Sequence, residues 1–207
     1  MDYKEFLHVL KTRRSIRKFL SDEVPRQDIE RIIEAASLAP SGTNLQNWHF
    51  IVIRSKQVKQ DMMDAIDKKL HEEMQMISSP TAKKSYKAYS QYYKFFGQAP
   101  VTVAVIRKPY KPLNLRIMSR YNINKKDASR SGVQSVAAAI QNLILMAHVL
   151  GYGTCWMTGP LIAKTYIEEI LNVEKNSHLL ALIPIGKYTK IPSPTPRKKI
   201  EEIVEYM

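Results

Sequence analysis

Apolar residues recur along this chain in two rhythms. In "VPRQDIERIIEAASLAP", Ile29, Ile32, Ile33 and Ala36 follow the i, i+3, i+4, i+7 spacing of one helical face. Pro25 suits the first turn of that helix and Pro40 stops it. From about 129 to 150 a longer helix is predicted, with Val133, Val136, Ala137, Ile140, Ile144 and Ala147 on one face and Gly151 as its C′ residue. Residues 2–12 read as a short helix that Asp2 can cap, and 56–78, 81–96 and 160–171 are also read as helical. The runs "WHFIVIR", "PVTVAVI", "TCWMT" and "LLALIPIG" are short and read as strands, "PVTVAVI" as a buried one. A polar turn, "SGTNLQN", joins the second helix to the first strand. Residues 107–127 carry two prolines and little periodicity, which predicts a loop or excursion. Strands interleaved with helices through irregular connections predict a helix-flanked sheet of mixed direction.

The tail "KYTKIPSPTPRKKIEEIVEYM" breaks both rhythms. Pro192, Pro194 and Pro196 prevent a packed helix and favour an extended arm. The arm ends in apolar residues that still need burial, so it is expected to grip another part of the fold or another subunit. No internal repeat or Gly/Ser linker divides the 207 residues, which predicts a single domain.

Composition narrows the function classes only a little. With 44% hydrophobic and 25% charged residues the chain is expected to be an ordinary soluble globular protein. The apolar stretch 133–150 is interrupted by Gln134, Ser135, Gln141, Asn142 and His148, which favours a buried helix over a membrane span. The N-terminus does not read as a signal peptide. A single cysteine, Cys155, excludes an intrachain disulfide and argues against a Cys-ligated metal, so a reducing, cytoplasmic setting is expected. The net charge of +13 favours anionic partners in general: phosphorylated cofactors, nucleic acid or acidic membranes.

Several common constellations are missing. There is no G-x-x-x-x-G-K-[ST] loop, no G-x-G-x-x-G and no G-x-S-x-G elbow. "GYGT" follows a helix and precedes a strand, the reverse of the dinucleotide-binding order. The five histidines are scattered without an H-x-x-x-H pair, so no metal site is expected. Cys155, among strand residues, reads as a buried, inert thiol. An enzyme without these devices can still act if a cofactor carries the chemistry.

Four segments suit such a cofactor. "RRSIR" offers Arg13, Arg14, Ser15 and Arg17 to a phosphate; equally, arginines after a short helix complement its C-terminal dipole. In "PSGTNLQNWHF", Ser41, Thr43, Asn44, Gln46 and Asn47 can read hydroxyls or a heterocycle edge, or simply make turns. "TCWMTG" leads into Gly159-Pro160, with Trp156 more in keeping with core than with a stacking platform. Arg197, Lys198 and Lys199 cluster on the proline arm.

In order, "RRSIRKF", "AASLAPSGTNLQNWHFIVI", "APVTVAVI", "GVQSVAAAIQNLILMAHVLGYGTCWM" and "IPIGKY…PRKKIEEIV" resemble the FMN-dependent nitroreductase family across nearly the whole chain. The resemblance implies an α+β, three-layer α/β/α sandwich with a central, mixed, mostly antiparallel sheet. It implies an intertwined homodimer with exchanged C-terminal arms (188–207), a lid or excursion at about 57–130, and FMN at the subunit interface. Carried over by position, Arg13, Arg14, Ser15, Arg17 and Arg197 would meet the flavin's phosphate and pyrimidine side. Pro40, Ser41, Gly42, Asn44 and Gln46 would come from the partner, and Trp156, Met157, Thr158 and Gly159 would lie beside the ring. The implied reaction takes hydride from NADH or NADPH and reduces a small electron-poor acceptor, a nitroaromatic or quinone, in a ping-pong cycle. The resemblance weakens at 57–96 and 107–130. Reductive dehalogenases, enone reductases and flavin-sequestering proteins share the implied site and remain alternatives. Neither nucleic acid nor a membrane is expected as a partner, since no helix-turn-helix, zinc or RNP-type motif accompanies the charge.

Overall fold

A computed structural model of the chain describes residues 2–109, 117, 118, 120, 121 and 131–207. The elements are α1 (Tyr3–Thr12), α2 (Arg26–Ser37), β1 (Trp48–Ile53), α3 (Lys56–Met76), α4 (Pro80–Ser90) and β2 (Val101–Arg107), followed by α5 (Ser131–Val149), β3 (Gly153–Thr154), α6 (Lys164–Ile170) and β4 (His178–Gly186). The four strands form one sheet in the order β1-β2-β4-β3, with every pair antiparallel. A parallel bridge between Ser15 and Thr154 adds the one mixed-direction contact seen among the described residues.

Helices cover both faces of the sheet. On β2, Val101, Val103 and Val105 point into a core shared with Ile29, Ile32 and Ala36 of α2 and Val136, Ile140 and Leu143 of α5. Ala104 and Ile106 point into a second core with Met62, Ile66 and Leu70 of α3 and Ile167 of α6. A strand covered on both sides has no polar face, which is why β2 is apolar from Val103 to Ile106 and its Thr102 hydroxyl is spent on Phe96 O. The expected three-layer α/β/α sandwich is therefore present.

Local chemistry sets the helix ends. Asp2 caps α1 through a capping box: Glu5 N–H donates to Asp2 Oδ1 and Asp2 N–H to Glu5 Oε2, both at 2.8 Å. Gly151 takes φ +76° after α5. Its N–H reaches His148 O, and Tyr152 N–H reaches Ala147 O, a Schellman closure that needs a residue free to be left-handed.

Three expectations need correction. The buried face of α5 is Ser135, Val136, Ala139, Ile140, Leu143, Ile144 and Ala147, whereas Val133 is exposed and Ala137 only half-buried. This helix carries small and apolar residues nearly all round, so periodicity alone cannot select its inward face. "TCWMT" is a strand only at Gly153–Thr154; the chain then leaves the sheet edge and returns at Met157, which exchanges two 3.0 Å hydrogen bonds with Leu182. The helix expected at 81–96 ends at Ser90 and continues as 3-10 turns, Gln91–Tyr93 and Phe95–Gln98. Most of the excursion expected at 107–127 lies outside the described residues. The tail beyond β4 is extended as far as a 3-10 turn at Ile200–Glu202, and Ile191, Ile200, Ile203 and Tyr206 are exposed. Although α5 is long and apolar enough to cross a membrane, it packs in the core.

Candidate active site

After α1 the chain runs extended beside β3. Ile16 N–H donates to Thr154 O at 2.8 Å, and the Ile16 side chain is buried. Gly153 makes this close approach possible. A Cβ there would stand 2.6 Å from Ile16 Cγ1 and 2.7 Å from Tyr188 Cδ1. The backbone contact leaves Arg17 exposed, at the junction of two cavities.

The first cavity, about 460 Å³, is lined by Arg17, Cys155, Trp156, Met157, Thr158 and Gly159, and by Tyr89, Tyr92, Tyr93 and Phe95. The second, about 300 Å³, is lined by Ser15, Ile16, Arg17, Lys18, Thr189, Lys190 and Pro192. One is aromatic, while the other is cationic and hydroxylic. Trp156 lies in the wall of the first, 39% exposed, and is not a core residue. Cys155 is buried, and burial pushes its thiol up, so it is held as a neutral thiol.

Arg13 and Arg14 line a third, narrow cavity with Ile16, His148, Gly153 and Thr154, and Arg197 lies near Arg13. Burial lowers the Arg13 guanidinium pKa first; Arg197 and then Arg14 lower it further. Among the described residues no carboxylate forms an ion pair with Arg13, Arg14, Arg17 or Arg197. Arg14 Nε is buried without a hydrogen-bond partner. Cations pressed together and partly desolvated are costly unless an anion joins them.

His148 backs this cluster. Its Nε2 lies 2.9 Å from Thr12 Oγ1, which itself donates to His8 O at 2.7 Å, so the imidazole is the donor to Thr12. Burial, then Arg13, His8 and Arg14, lower the imidazole pKa from 6.5. The unfolded chain therefore takes up a proton that the folded chain resists, and stability is lost as pH falls below about 6.5. His148→Gln should lose less stability than the unchanged protein between neutral pH and about pH 5, as read by urea midpoints. His178, whose pKa is lowered by burial and then by Lys164 and Arg107, should keep some slope in the variant.

The loop at 40–46 is built differently. Thr43, Asn44 and Gln46 adopt φ of 53°, 53° and 50°, a left-handed conformation disfavoured for residues with side chains. Gln46 N–H donates to Ser41 Oγ at 2.9 Å and Gly42 N–H to Ser135 Oγ at 3.3 Å, which holds the loop against α5. Pro40, Ser41, Gly42, Asn44 and Gln46 do not line either cavity of their own chain. Ser15, Arg17, Trp156, Met157, Thr158 and Gly159 line the two cavities; Arg13 and Arg14 line the third, narrow one with His148, Gly153 and Thr154, and Arg197 lines none of the three but lies close enough to Arg13 to press on its charge. Sequence reasoning assigns no individual role to Tyr92, Tyr93, Phe95, Lys18, Thr189 or Lys190; the aromatic-basic stretch "YKAYSQYYKFF" reads equally as part of a lid or as a surface or dimer helix.

Residues 10–187 match the Nitroreductase family. The chain belongs to the nitroreductase family. Among solved structures it is similar to a BluB-like flavoprotein from Clostridium difficile 630, with a TM-score of 0.88 and 32% identity over 100% of this chain and 99% of that one. Oxidised iodotyrosine deiodinase bound to FMN and 3-iodo-L-tyrosine shares the fold, with a TM-score of 0.74 at 21% identity over 97% of this chain and 98% of that one. Iodotyrosine deiodinase of Nematostella vectensis is 26% identical over 97% of this chain and 74% of its own length. The provisionally named NAD(P)H nitroreductase MhqN of Bacillus subtilis is also 26% identical, over 98% and 99%. Family membership makes this protein an oxidoreductase.

Proposed function

We propose that this nitroreductase-family protein is an FMN-dependent oxidoreductase that takes reducing equivalents from NADH or NADPH and passes them to an electron-poor acceptor, a nitroaromatic or a quinone. The observation that carries this reading is the cluster of Arg13, Arg14 and Arg197, without a carboxylate partner among the described residues, together with an aromatic and a cationic cavity that both open on Arg17 of the same N-terminal segment. That layout fits a ligand with a phosphate at one end and a flat ring at the other. FMN, when bound, supplies a ring that accepts a hydride and gives up two electrons.

The chain's own residues bind and tune. Arg13, Arg14, Ser15 and Arg197 would hold the phosphate through charge-assisted hydrogen bonds. Arg17 would place a cation at the pyrimidine side of the ring and stabilise negative charge there. Thr158 and Gly159 would offer backbone N–H groups to the ring edge, with Trp156 and Met157 beside them. No side chain has to act as a nucleophile, and the inert Cys155 thiol fits that role assignment.

The supporting experiment is steady-state kinetics on FMN-loaded protein. Parallel double-reciprocal lines for NAD(P)H against a quinone or nitroarene support the proposal, and intersecting lines count against the ping-pong cycle. The deiodinase relatives favour a second reading, reductive dehalogenation; halide release from a halophenol, without turnover of quinones, would select it.

We further infer a homodimer in which the arm of each chain grips the other and each 40–46 loop completes the partner's flavin site. Support comes from the exposed Ile191, Ile200, Ile203 and Tyr206, and from a strained loop that stands apart from its own chain's cavities. Deleting residues 191–207 should yield a monomer that has lost FMN, by light scattering and flavin fluorescence. A fully flavinated dimer after the deletion would refute the arm's role.

A further inference from the structure

His148 has no part in the reaction proposed above, yet it shares the narrow cavity of Arg13 and Arg14. It stands in the last turn of α5, where the carbonyl end of the helix favours a positive charge. The neighbouring side chains oppose that charge. The groups acting on the imidazole are Arg13 and Arg14, from the segment after α1, and His8 of α1 itself, with no carboxylate among them. Tyr152 and Tyr188 complete the titratable lining of the cavity. Tyr152 OH donates to Asp28 Oδ2 of α2 at 2.6 Å, and Asp28 Oδ1 pairs with Arg31 at 3.2 Å, so that carboxylate is already engaged. Lys187 Nζ, 4.2 Å from the Tyr152 ring centroid, adds a further cation on this side.

Hydrogen bonding fixes where a proton can go. Thr12 Oγ1 donates to His8 O, so Nε2–H of His148 donates to Thr12 Oγ1 at 2.9 Å and Nδ1 is the unprotonated nitrogen of the neutral ring. A proton arriving at Nδ1 leaves the Thr12 bond intact. That bond ties α5 to the last residue of α1, next to Arg13. Arg14 Nη1 folds back onto Lys11 O and Arg13 O, at 2.5 and 2.7 Å, while its buried Nε has no hydrogen-bond partner. His148 therefore both holds the arginine segment and feels its charge.

We propose that His148 is the proton-linked member of the phosphate site: it tethers the arginine segment through Thr12 and takes up a proton from solvent at Nδ1 when an anion joins Arg13, Arg14 and Arg197. This rests on the reading of those arginines as the flavin-phosphate site. The cause is electrostatic. In the empty site two guanidiniums repel a further charge; an anion offsets them, and the dipole of α5 then favours the imidazolium. Because anion binding favours the protonated ring, protonation favours anion binding by the same factor. FMN should bind more tightly as pH falls through the imidazole range.

The test is calorimetric titration of the full chain, freed of flavin, with FMN at about pH 6 in two buffers of different ionisation enthalpy, which counts the protons taken up. It is run on the unchanged protein and on His148→Gln, in which the side chain keeps an N–H donor for Thr12 but does not titrate. The phosphate of FMN also titrates near pH 6, equally in both proteins, so the difference between them reports His148. The unchanged protein should take up more protons than the variant, and its FMN affinity should rise about 3-fold more between about pH 7.5 and 5.5. Riboflavin, which lacks the phosphate, should show no difference between the two. Sulfate, doubly charged throughout this range, should move the NMR titration of the His148 imidazole in the unchanged protein to higher pH, a readout that needs no variant. Equal proton uptake with FMN in the two proteins, a difference that persists with riboflavin, or a His148 titration that sulfate leaves in place overturns the linkage and leaves the flavin reading standing. Absence of FMN binding overturns that underlying reading, and the linkage with it.

Discussion

Replacing Arg13 with alanine is expected to weaken FMN binding by roughly 10–100-fold, the worth of one hydrogen bond to a charged group, about 1.5–3 kcal/mol. The apoprotein should nevertheless keep its thermal midpoint or gain slightly. Arg13 is half-buried, and Arg197 and Arg14 press on its charge while no described carboxylate compensates. Removing it relieves repulsion in the empty site and removes attraction in the filled one. An arginine that merely complemented the C-terminal dipole of α1 would behave differently: the apoprotein would lose stability and FMN affinity would stay put. Arg197→Ala should reproduce the pattern from the other end of the chain. Isothermal titration with FMN and thermal unfolding of the apoprotein, done on the same preparations, separate the two roles.

Gly153→Val should fail in the opposite way, losing fold stability and flavin together. Its Cβ would meet Ile16 Cβ at 2.8 Å and Cγ1 at 2.6 Å on one side, and the Tyr188 ring on the other. Ile16 is buried and branched at Cβ, so it has little room to yield. Overpacking of this kind costs about 1–3 kcal/mol, or roughly 2–12 °C in midpoint for a chain of this size. The segment carrying Ser15 and Thr154 would part, and Arg13, Arg14 and Arg17 would shift as a unit. A variant with unchanged midpoint and unchanged FMN affinity would show that the close approach at Gly153 does not position the arginines.

The parts of the fold with one-sided chemistry were legible from the sequence. In α2 a single stripe, Ile29, Ile32, Ile33 and Ala36, meets the core while Arg26, Glu30, Arg31 and Glu34 are exposed, so its inward face could be read directly. The capping box at Asp2 and Glu5 and the closure at Gly151 depend on residues within a few positions of one another. Where the outcome depends on distant partners, local pattern failed. The face of α5 is chosen by what α2 and the sheet leave open. The turn that brings Tyr89, Tyr92 and Tyr93 together is tied down by Asp67 and Glu73 on another helix, which no spacing rule within "YKAYSQYYKFF" reports.

The same contrast holds at the candidate site. The arginine run was visible as a run, yet dipole complement and phosphate cradle could not be told apart from it. The meeting of Arg13 with Arg197, from opposite ends of the chain, favours the cradle. Lys18, exposed, lines the cationic cavity with Lys190. The overall charge of +13 says little about function, whereas the placement of these few charges says a good deal.

The most direct measurement is an anaerobic titration of the purified, FMN-reconstituted protein with NADH and with NADPH, followed by visible absorbance. The account predicts a yellow protein with FMN in stoichiometric amount whose colour bleaches with one equivalent of at least one nucleotide and returns when a quinone is added. A protein that binds no FMN, or whose bound FMN neither nucleotide bleaches, would contradict it.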